Sequence, residues 1–188
     1  MKKLILISIF AFITGCISAP TATPENYYTL QSINSESLSN KTISIGLESP
    51  NIPSYLDKSQ IIIEDKDASI LQINEKERWI EPFGKLLERT IINDFYAYLP
   101  NAIISNPLIN SEKTDYNVSI QINKLNGPLN GTITLDAIYT IQNNKASKSK
   151  QKRVVLTEQT GPTYTDFTYS QSKLVDELVK QIITEIIK

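Results

Sequence analysis

A chain of 188 residues, 40% hydrophobic and 21% charged, is sized and composed for one globular domain. Its formal charge of −1 argues against nucleic acid as the main partner. With no histidine there are no imidazole bases, no Ser-His-Asp triad and almost no route to zinc, and the single cysteine cannot form a disulfide within the chain.

Lys2 and Lys3 precede an apolar run over residues 4–13, and Ile13-Thr14-Gly15-Cys16 closes the stretch. As a helix the run covers about 15 Å, roughly half a bilayer core. It is too short to span and reads as a secretory signal over residues 1–15. Its ending resembles the lipobox of bacterial lipoproteins. That implies cleavage before Cys16 and acyl chains, palmitate among them, on the new N-terminal residue. An ordinary signal peptide with a chance cysteine and an uncleaved anchor are the alternatives. Lipidation is favoured because the only cysteine stands where the lipobox requires one. One acyl chain binds a membrane marginally, at about 0.8 kcal/mol per buried CH₂, and two or three hold firmly. Ile17 replaces the aspartate that retains such proteins in the inner membrane, which points to the outer membrane with the domain facing the periplasm. Taking 15 residues from 188 leaves 173, and losing Lys2 and Lys3 from 19 basic residues leaves 17 against 20 acidic ones.

Residues 16–25, with Pro20 and Pro24 among small side chains, read as the lipidated tether, and residues 26–188 as the domain. Tyr27-Tyr28-Thr29-Leu30 is β-prone and predicts a first strand. Residues 31–40, rich in Ser and Asn, read as a loop. Ile43, Ile45 and Leu47 alternate with Thr42, Ser44 and Gly46, the period of a half-buried strand. Pro50 and Pro53 make residues 49–57 an ordered turn or loop. Ile61-Ile62-Ile63 predicts a strand over 60–64, and residues 68–73 its return arm through Asp65-Lys66-Asp67. Pro82 suits the first position of a helix. Phe83, Leu86 or Leu87, Ile91, Phe95 and Leu99 give that helix one apolar face, opposite Lys85, Glu88, Arg89 and Asn93, and Pro100 ends it.

A short strand near Ile103-Ile104 leads to a three-strand meander. Tyr116, Val118, Ile120 and Ile122 alternate with Asn117, Ser119, Gln121 and Asn123. Gly127, Pro128 and Gly131 mark a loop before Ile133, Leu135, Ala137, Tyr139 and Ile141. Residues 143–151 read as a polar connection and Val154 to Leu156 as the opening of the last strand. A final helix is expected over about 170–188, with Thr168 and Gln171 at capping-box spacing. Its apolar stripe is Leu174, Val175, Leu178, Val179, Ile182, Ile183, Ile186 and Ile187. Lys173, Asp176, Glu177, Lys180 and Glu185 exclude a spanning helix and favour packing on the sheet over lying on a membrane. The order of elements predicts an α+β fold in two layers: a mixed, mostly antiparallel sheet with two helices on one face.

No catalytic constellation, cofactor motif or metal site emerges. Asp65-Lys66-Asp67 lacks the glycine and closing glutamate of a calcium loop. Ser172 and Lys173 are adjacent and diverge on a helix, so they fail as a Ser-Lys dyad. No phosphate-cradling glycine motif occurs. Lys145, Lys148, Lys150, Lys152 and Arg153 form one basic cluster, fit for anionic headgroups but better read as a solvated connection that guards strand edges. Trp79, the only tryptophan, is read as a buried corner residue or, less readily, as a partner-binding anchor. Tyr55 and Leu56, in a loop stiffened by Pro50 and Pro53, are either presented to a partner or folded back on the sheet.

Four stretches together carry a resemblance that covers nearly the whole mature chain. They are Tyr27-Tyr28-Thr29-Leu30; Ile45-Gly46 with Ile52-Pro53-Ser54-Tyr55-Leu56-Asp57 and Gln60-Ile61-Ile62; Glu77 to Phe83 with its Arg-Trp-x-Glu-Pro core; and the meander from Asp115-Tyr116 to Tyr139. The chain resembles the ABC-type transport auxiliary lipoproteins of the PqiC-like (YmbA-like) group. Lys58-Ser59 departs from the usual arginine-proline and Tyr139 from the common tryptophan. The resemblance implies a noncatalytic outer-membrane lipoprotein of an MCE-type lipid transport system, docking the conduit to the outer membrane. Its implied partners are a periplasmic MCE-domain protein and an inner-membrane component. A lipoprotein that itself holds a lipid is the alternative, and it expects a large apolar pocket between sheet and helices. A homo-oligomer is compatible with either.

Overall fold

The computed structural model describes residues 24–33, 36–65, 70–106 and 114–188. The expected signal peptide, Cys16 and most of the tether lie outside them, as does Lys66-Asp67 of the expected hairpin turn. Strands β1 (Asn26–Tyr28), β2 (Ser44–Leu47), β3 (Gln60–Glu64) and β4 (Leu71–Trp79) precede helix α1 (Phe83–Tyr98). Strands β5 (Ile103–Ser105), β6 (Tyr116–Asn126), β7 (Thr132–Asn143) and β8 (Lys148–Gln159) follow, and helix α2 (Tyr164–Ile187) comes last. The fold is α+β, as expected, with the strands shared between two sheets of order β1-β4-β3 and β5-β2-β6-β7-β8.

Pairing explains the division. β2 lies between parallel partners β5 and β6, while β3 and β4 form an antiparallel hairpin that β1 joins in parallel. The sheets meet at a corner, where the Glu64 N–H donates to the Gly127 carbonyl at 3.0 Å. Lys124 Nζ lies 2.6 Å from the Glu64 carboxylate at the same place. Gly127 is required by close approach, since a Cβ would sit 2.4 Å from the Thr132 carbonyl oxygen.

In the β6–β8 meander the period of two decides what is buried. Val118, Ile120, Ile122, Ile133, Leu135, Ala137, Tyr139 and Val154 point into the core, and the intervening side chains are partly or fully exposed. α2 packs on this sheet and against α1, and all of these side chains belong to one contiguous core. Each fully buried Leu, Ile or Val contributes about 1.5–3 kcal/mol of transfer free energy. α1 buries Phe83, Leu86, Leu87, Ile91 and Phe95, the face that the spacing predicts. Pro82 is its N-cap, one place earlier than expected, and Leu99, just before Pro100, caps its end.

β4 runs from Leu71 to Trp79, beyond the return arm expected over 68–73, because β1 and β3 pair with its far half. Two further elements differ from expectation. α2 begins at Tyr164 rather than near Ser170, and its capping box is Thr163 with Asp166 rather than Thr168 with Gln171. The Asp166 N–H donates to Thr163 Oγ1 at 3.1 Å, and the Thr163 N–H donates back to the Asp166 carboxylate at 3.1 Å. Tyr164, Thr165, Phe167 and Thr168 are weak helix formers, which hides the start. The cap, typically about 1 kcal/mol, and the complete burial of Phe167 override that preference. Thr168 and Gln171 are instead buried helix interior, with Gln171 Nε2 donating to the Leu125 carbonyl at 3.0 Å.

The last difference is the connection expected over 143–151. Only 144–147 is a turn, with Ser147 at φ 51°, and β8 already starts at Lys148. β7 offers a long template, paired without interruption from Asn143↔Lys148 to Thr132↔Gln159. Ladder hydrogen bonds outweigh the poor β-propensity of the lysines.

Candidate docking surfaces

The domain has two distinct ends. At one end, Tyr28 of β1 rests on Tyr164 at the start of α2, ring centroids 6.2 Å apart. The Tyr28 hydroxyl donates to Glu77 at 2.6 Å, and burial with that bond pushes its pKa up to about 12. This is where the chain enters the domain. α2, 24 residues long, carries the structure about 35 Å to the other end.

That far end is basic. Lys41, Lys145, Lys148, Lys150, Lys152 and Lys188 are all exposed there, around the 144–147 turn and the end of α2. Two carboxylates offset part of the charge. Lys145 Nζ lies 2.6 Å from Asp115, and Lys150 Nζ lies 2.5 Å from Glu185. Lys145, with help from the Ser44 N–H, holds the Asp115 carboxyl below the usual range, and Lys150 does the same for Glu185. Such exposed pairs are screened by solvent and contribute little, so the lysines are not consumed by the fold. A cleft of about 340 Å³ opens among Lys41, Asp115, Lys145 and Lys188. Arg153 departs from the cluster: its guanidinium turns to the open face of the sheet and grips Asp136 at 2.7 and 3.0 Å.

Near the entry end, residues 49–57 are stitched to β6. The Asn51 N–H donates to the Ile120 carbonyl at 2.9 Å, and the Ile122 N–H donates to the Asn51 carbonyl at 2.8 Å. Leu56 is 5% exposed and Trp79 4% exposed, with the Trp79 ring 5.0 Å from that of Phe83. Both are core residues at the foot of the β3–β4 hairpin. Tyr55 is half-buried and reaches the surface, where it lines a groove of about 310 Å³ with Lys58, Gln60, Ile62, Leu71, Ile73 and Glu75. The structure thus brings Tyr55 to a surface and places Leu56 and Trp79 behind it. Leu56→Ala is therefore expected to cost about 2–5 kcal/mol of stability, and Tyr55→Ala much less. Urea titration of the two variants checks this; equal midpoints would show that the burial difference has no energetic weight.

Residue spacing did not single out the groove. Ile62, Leu71 and Ile73 look like ordinary strand residues, and only the placement of the sheets leaves Leu71 and Ile73 uncovered beside the buried Ile62. Asp94 was also missed, although it stands three residues after Ile91 on the apolar face of α1. It is fully buried, and neither carboxylate oxygen has a well-formed hydrogen bond. Burial pushes its pKa up to about 7, with nearby Asp176 acting in the same direction and the Ser32 hydroxyl opposing. Across the helix interface the Tyr98 hydroxyl donates to Asp176 at 3.0 Å.

Among the described residues no cluster of three or more Asp, Glu, His or Cys could hold a metal ion. No described helix is long and apolar enough to cross a membrane. The space between sheet and helices is occupied by Leu178, Ile182, Ile183, Tyr139, Leu135 and Phe95, each fully buried.

The fold has relatives among solved structures. The crystal structure of an uncharacterised protein is similar with a TM-score of 0.71 at 14% identity, covering 87% of this chain and 99% of that one. A Xanthomonas campestris protein of the DUF330 family is similar with a TM-score of 0.66 at 12% identity, covering 82% of this chain and 92% of that one. No curated protein matches the sequence. The family model described as ABC-type transport auxiliary lipoprotein component matches residues 28–183, from β1 through most of α2. With that match spanning both sheets and both helices, the chain belongs to the family of ABC-type transport auxiliary lipoprotein components.

Proposed function

We propose that this auxiliary lipoprotein is a noncatalytic outer-membrane component of an MCE-type intermembrane lipid transport system. It is held by acyl chains on Cys16 and docks the periplasmic conduit to that membrane. Its partners are a periplasmic MCE-domain protein and, through it, the inner-membrane transport component. One observation carries the reading: the chain enters the domain at the Tyr28 end, and the exposed lysines gather about 35 Å away around the C-terminal end of α2. An anchor at one end and a charged surface at the other suit an adaptor. A basic surface steers an acidic one over about a Debye length and sets on-rate more than affinity.

The test reverses that charge in the native envelope. Lys145→Glu with Lys148→Glu and Lys152→Glu is expected to cut copurification of the MCE-type protein by tenfold or more. The thermal midpoint should hardly move, because these side chains are exposed. The wild-type association should weaken as salt is raised. Unchanged recovery of the partner, or crosslinking that maps it to the opposite end, would refute docking through the basic end.

A further inference from the structure

The outer face of the β3–β4 hairpin carries the groove of about 310 Å³ lined by Tyr55, Ile62, Leu71 and Ile73. Leu71 is 43% exposed and Ile73 57% exposed, and the adjoining Ile70 is 49% exposed. Single exposed apolar residues are ordinary, but here three of them fall within four residues of chain and adjoin an apolar groove. The rim is amphipathic. Tyr55 offers a ring with a polar tip, Lys58 a long apolar stem, and the Glu75 carboxylate accepts from Gln60 Nε2 at 3.1 Å.

The way the chain enters the domain indicates what covers this face. β1 runs parallel to β4 with Asn26 opposite Glu77. The backbone arriving at Asn26 therefore comes from the direction of the Leu71 end of β4. From the register of Glu77 back to Ile73 is about 13 Å of strand. Cys16 lies ten residues before Asn26, within at most about 35 Å of chain. A membrane holding Cys16 meets the Leu71–Ile73 face with tether to spare. The basic end could touch the same membrane only if the tether ran fully extended along the whole length of α2.

Building on the lipoprotein reading above, we propose that this hairpin face rests on the lipid leaflet that holds the Cys16 anchor. Ile73 and Leu71 enter the headgroup boundary, and Tyr55 and Lys58 sit at its polar level. The tether makes this contact intramolecular, so a small apolar face too weak to recruit the protein by itself still fixes the orientation of the domain. The lysine end then points away from the membrane.

The test uses the full chain, lipidated in cells and reconstituted into vesicles of phosphatidylethanolamine with phosphatidylglycerol. In the lipidated chain the Cys16 sulfur carries the lipid, so Ile73→Cys supplies the free thiol for an environment-sensitive fluorophore. Leu71→Cys is a second reporter, and Lys148→Cys reports on the basic end. Spin-labelled lipid with its quencher near the headgroup is expected to quench the probes at 73 and 71 several-fold more than the probe at 148. Quenching at 73 and 71 no greater than at 148 overturns the proposal. So does a probe that is shifted to the blue yet not quenched, which would mark a protein or a second copy as the occupant. Mass spectrometry separates the two readings: an unmodified Cys16 overturns the lipoprotein reading and this proposal together, whereas a lipidated chain with an unquenched hairpin overturns this proposal alone.

Discussion

Ile182→Asp is expected to unfold the domain or to lower its thermal midpoint by well over 10 °C. Ile182 is fully buried on the face of α2 that meets the sheet, among Leu178, Val179 and Ile183, which are equally inaccessible. The substitution removes a packed side chain and places a carboxylate among fully buried apolar side chains. Both effects destabilise, and together they reach the range above about 4 kcal/mol in which a domain holding about 5–15 kcal/mol fails. For a domain of this size each kcal/mol shifts the midpoint by about 2–4 °C. Ile182→Val, which keeps the shape and loses one methylene, should cost only about 0.5–1.5 kcal/mol. Circular dichroism melts of the soluble domain check both variants. A small shift for the aspartate variant would mean that this face of α2 is not packed in solution.

The second large effect is on pH. Asp94 is buried between α1 and α2, and its pKa is pushed up to about 7, mainly by burial. The sign follows from proton binding. Below about pH 4 the carboxyl is neutral in the folded and the unfolded chain alike, and burying it carries no charge penalty. As pH rises from 4 through 7 the unfolded chain releases its proton while the folded chain keeps it, so folded stability falls. A shift of about three units at about 1.4 kcal/mol each makes the loss about 4 kcal/mol by pH 8. Asp176, also raised by burial, adds in the same direction. Asp115, Asp136, Asp166 and Glu185 act oppositely, because their partners hold them low and their contribution is lost in acid. They sit near the surface, so their effect is screened. Asp94→Asn should therefore leave stability at pH 3 almost unchanged and raise it markedly at pH 8. Urea unfolding at the two values decides the matter, and a wild-type slope retained in the asparagine variant would show that another group titrates.

The meander and the α1 face were legible because each is a matter of period. Ile133 to Ile141 and Phe83 to Phe95 repeat at the spacings of strand and helix, and the structure buries those positions. The start of α2 was not legible, since Tyr164, Thr165 and Thr168 favour strands in isolation and yield only to a cap and to the burial of Phe167. Nor was the start of β8, because Lys148 to Lys152 pair only when β7 is already in place as a template. Trp79 shows the same limit in a single residue. Its type fits a corner or, less readily, an anchor, and only the neighbouring Phe83 ring and the 4% exposure place it in the core.

One group of features follows from residue type and local spacing alone. That covers the lipobox-like ending at Cys16, the missing histidine chemistry, the α+β class, the two amphipathic helices and the family resemblance. Tertiary structure alone decided which apolar and charged residues face water. Ile63 and Ile73 are strand residues of one type in the same hairpin, yet Ile63 joins the main core and Ile73 stands 57% exposed beside the groove. Lys150 and Arg153 share a basic run, yet one pairs with Glu185 near the end of α2 and the other grips Asp136 on the far face of the sheet. Periodicity gives each side chain a direction relative to its own strand. Which of the two directions meets a partner depends on contacts between segments far apart in the chain, such as Glu64 with Gly127 and Tyr28 with Tyr164. Those contacts put the chain entry and the apolar groove on one half of the molecule and the lysines on the other.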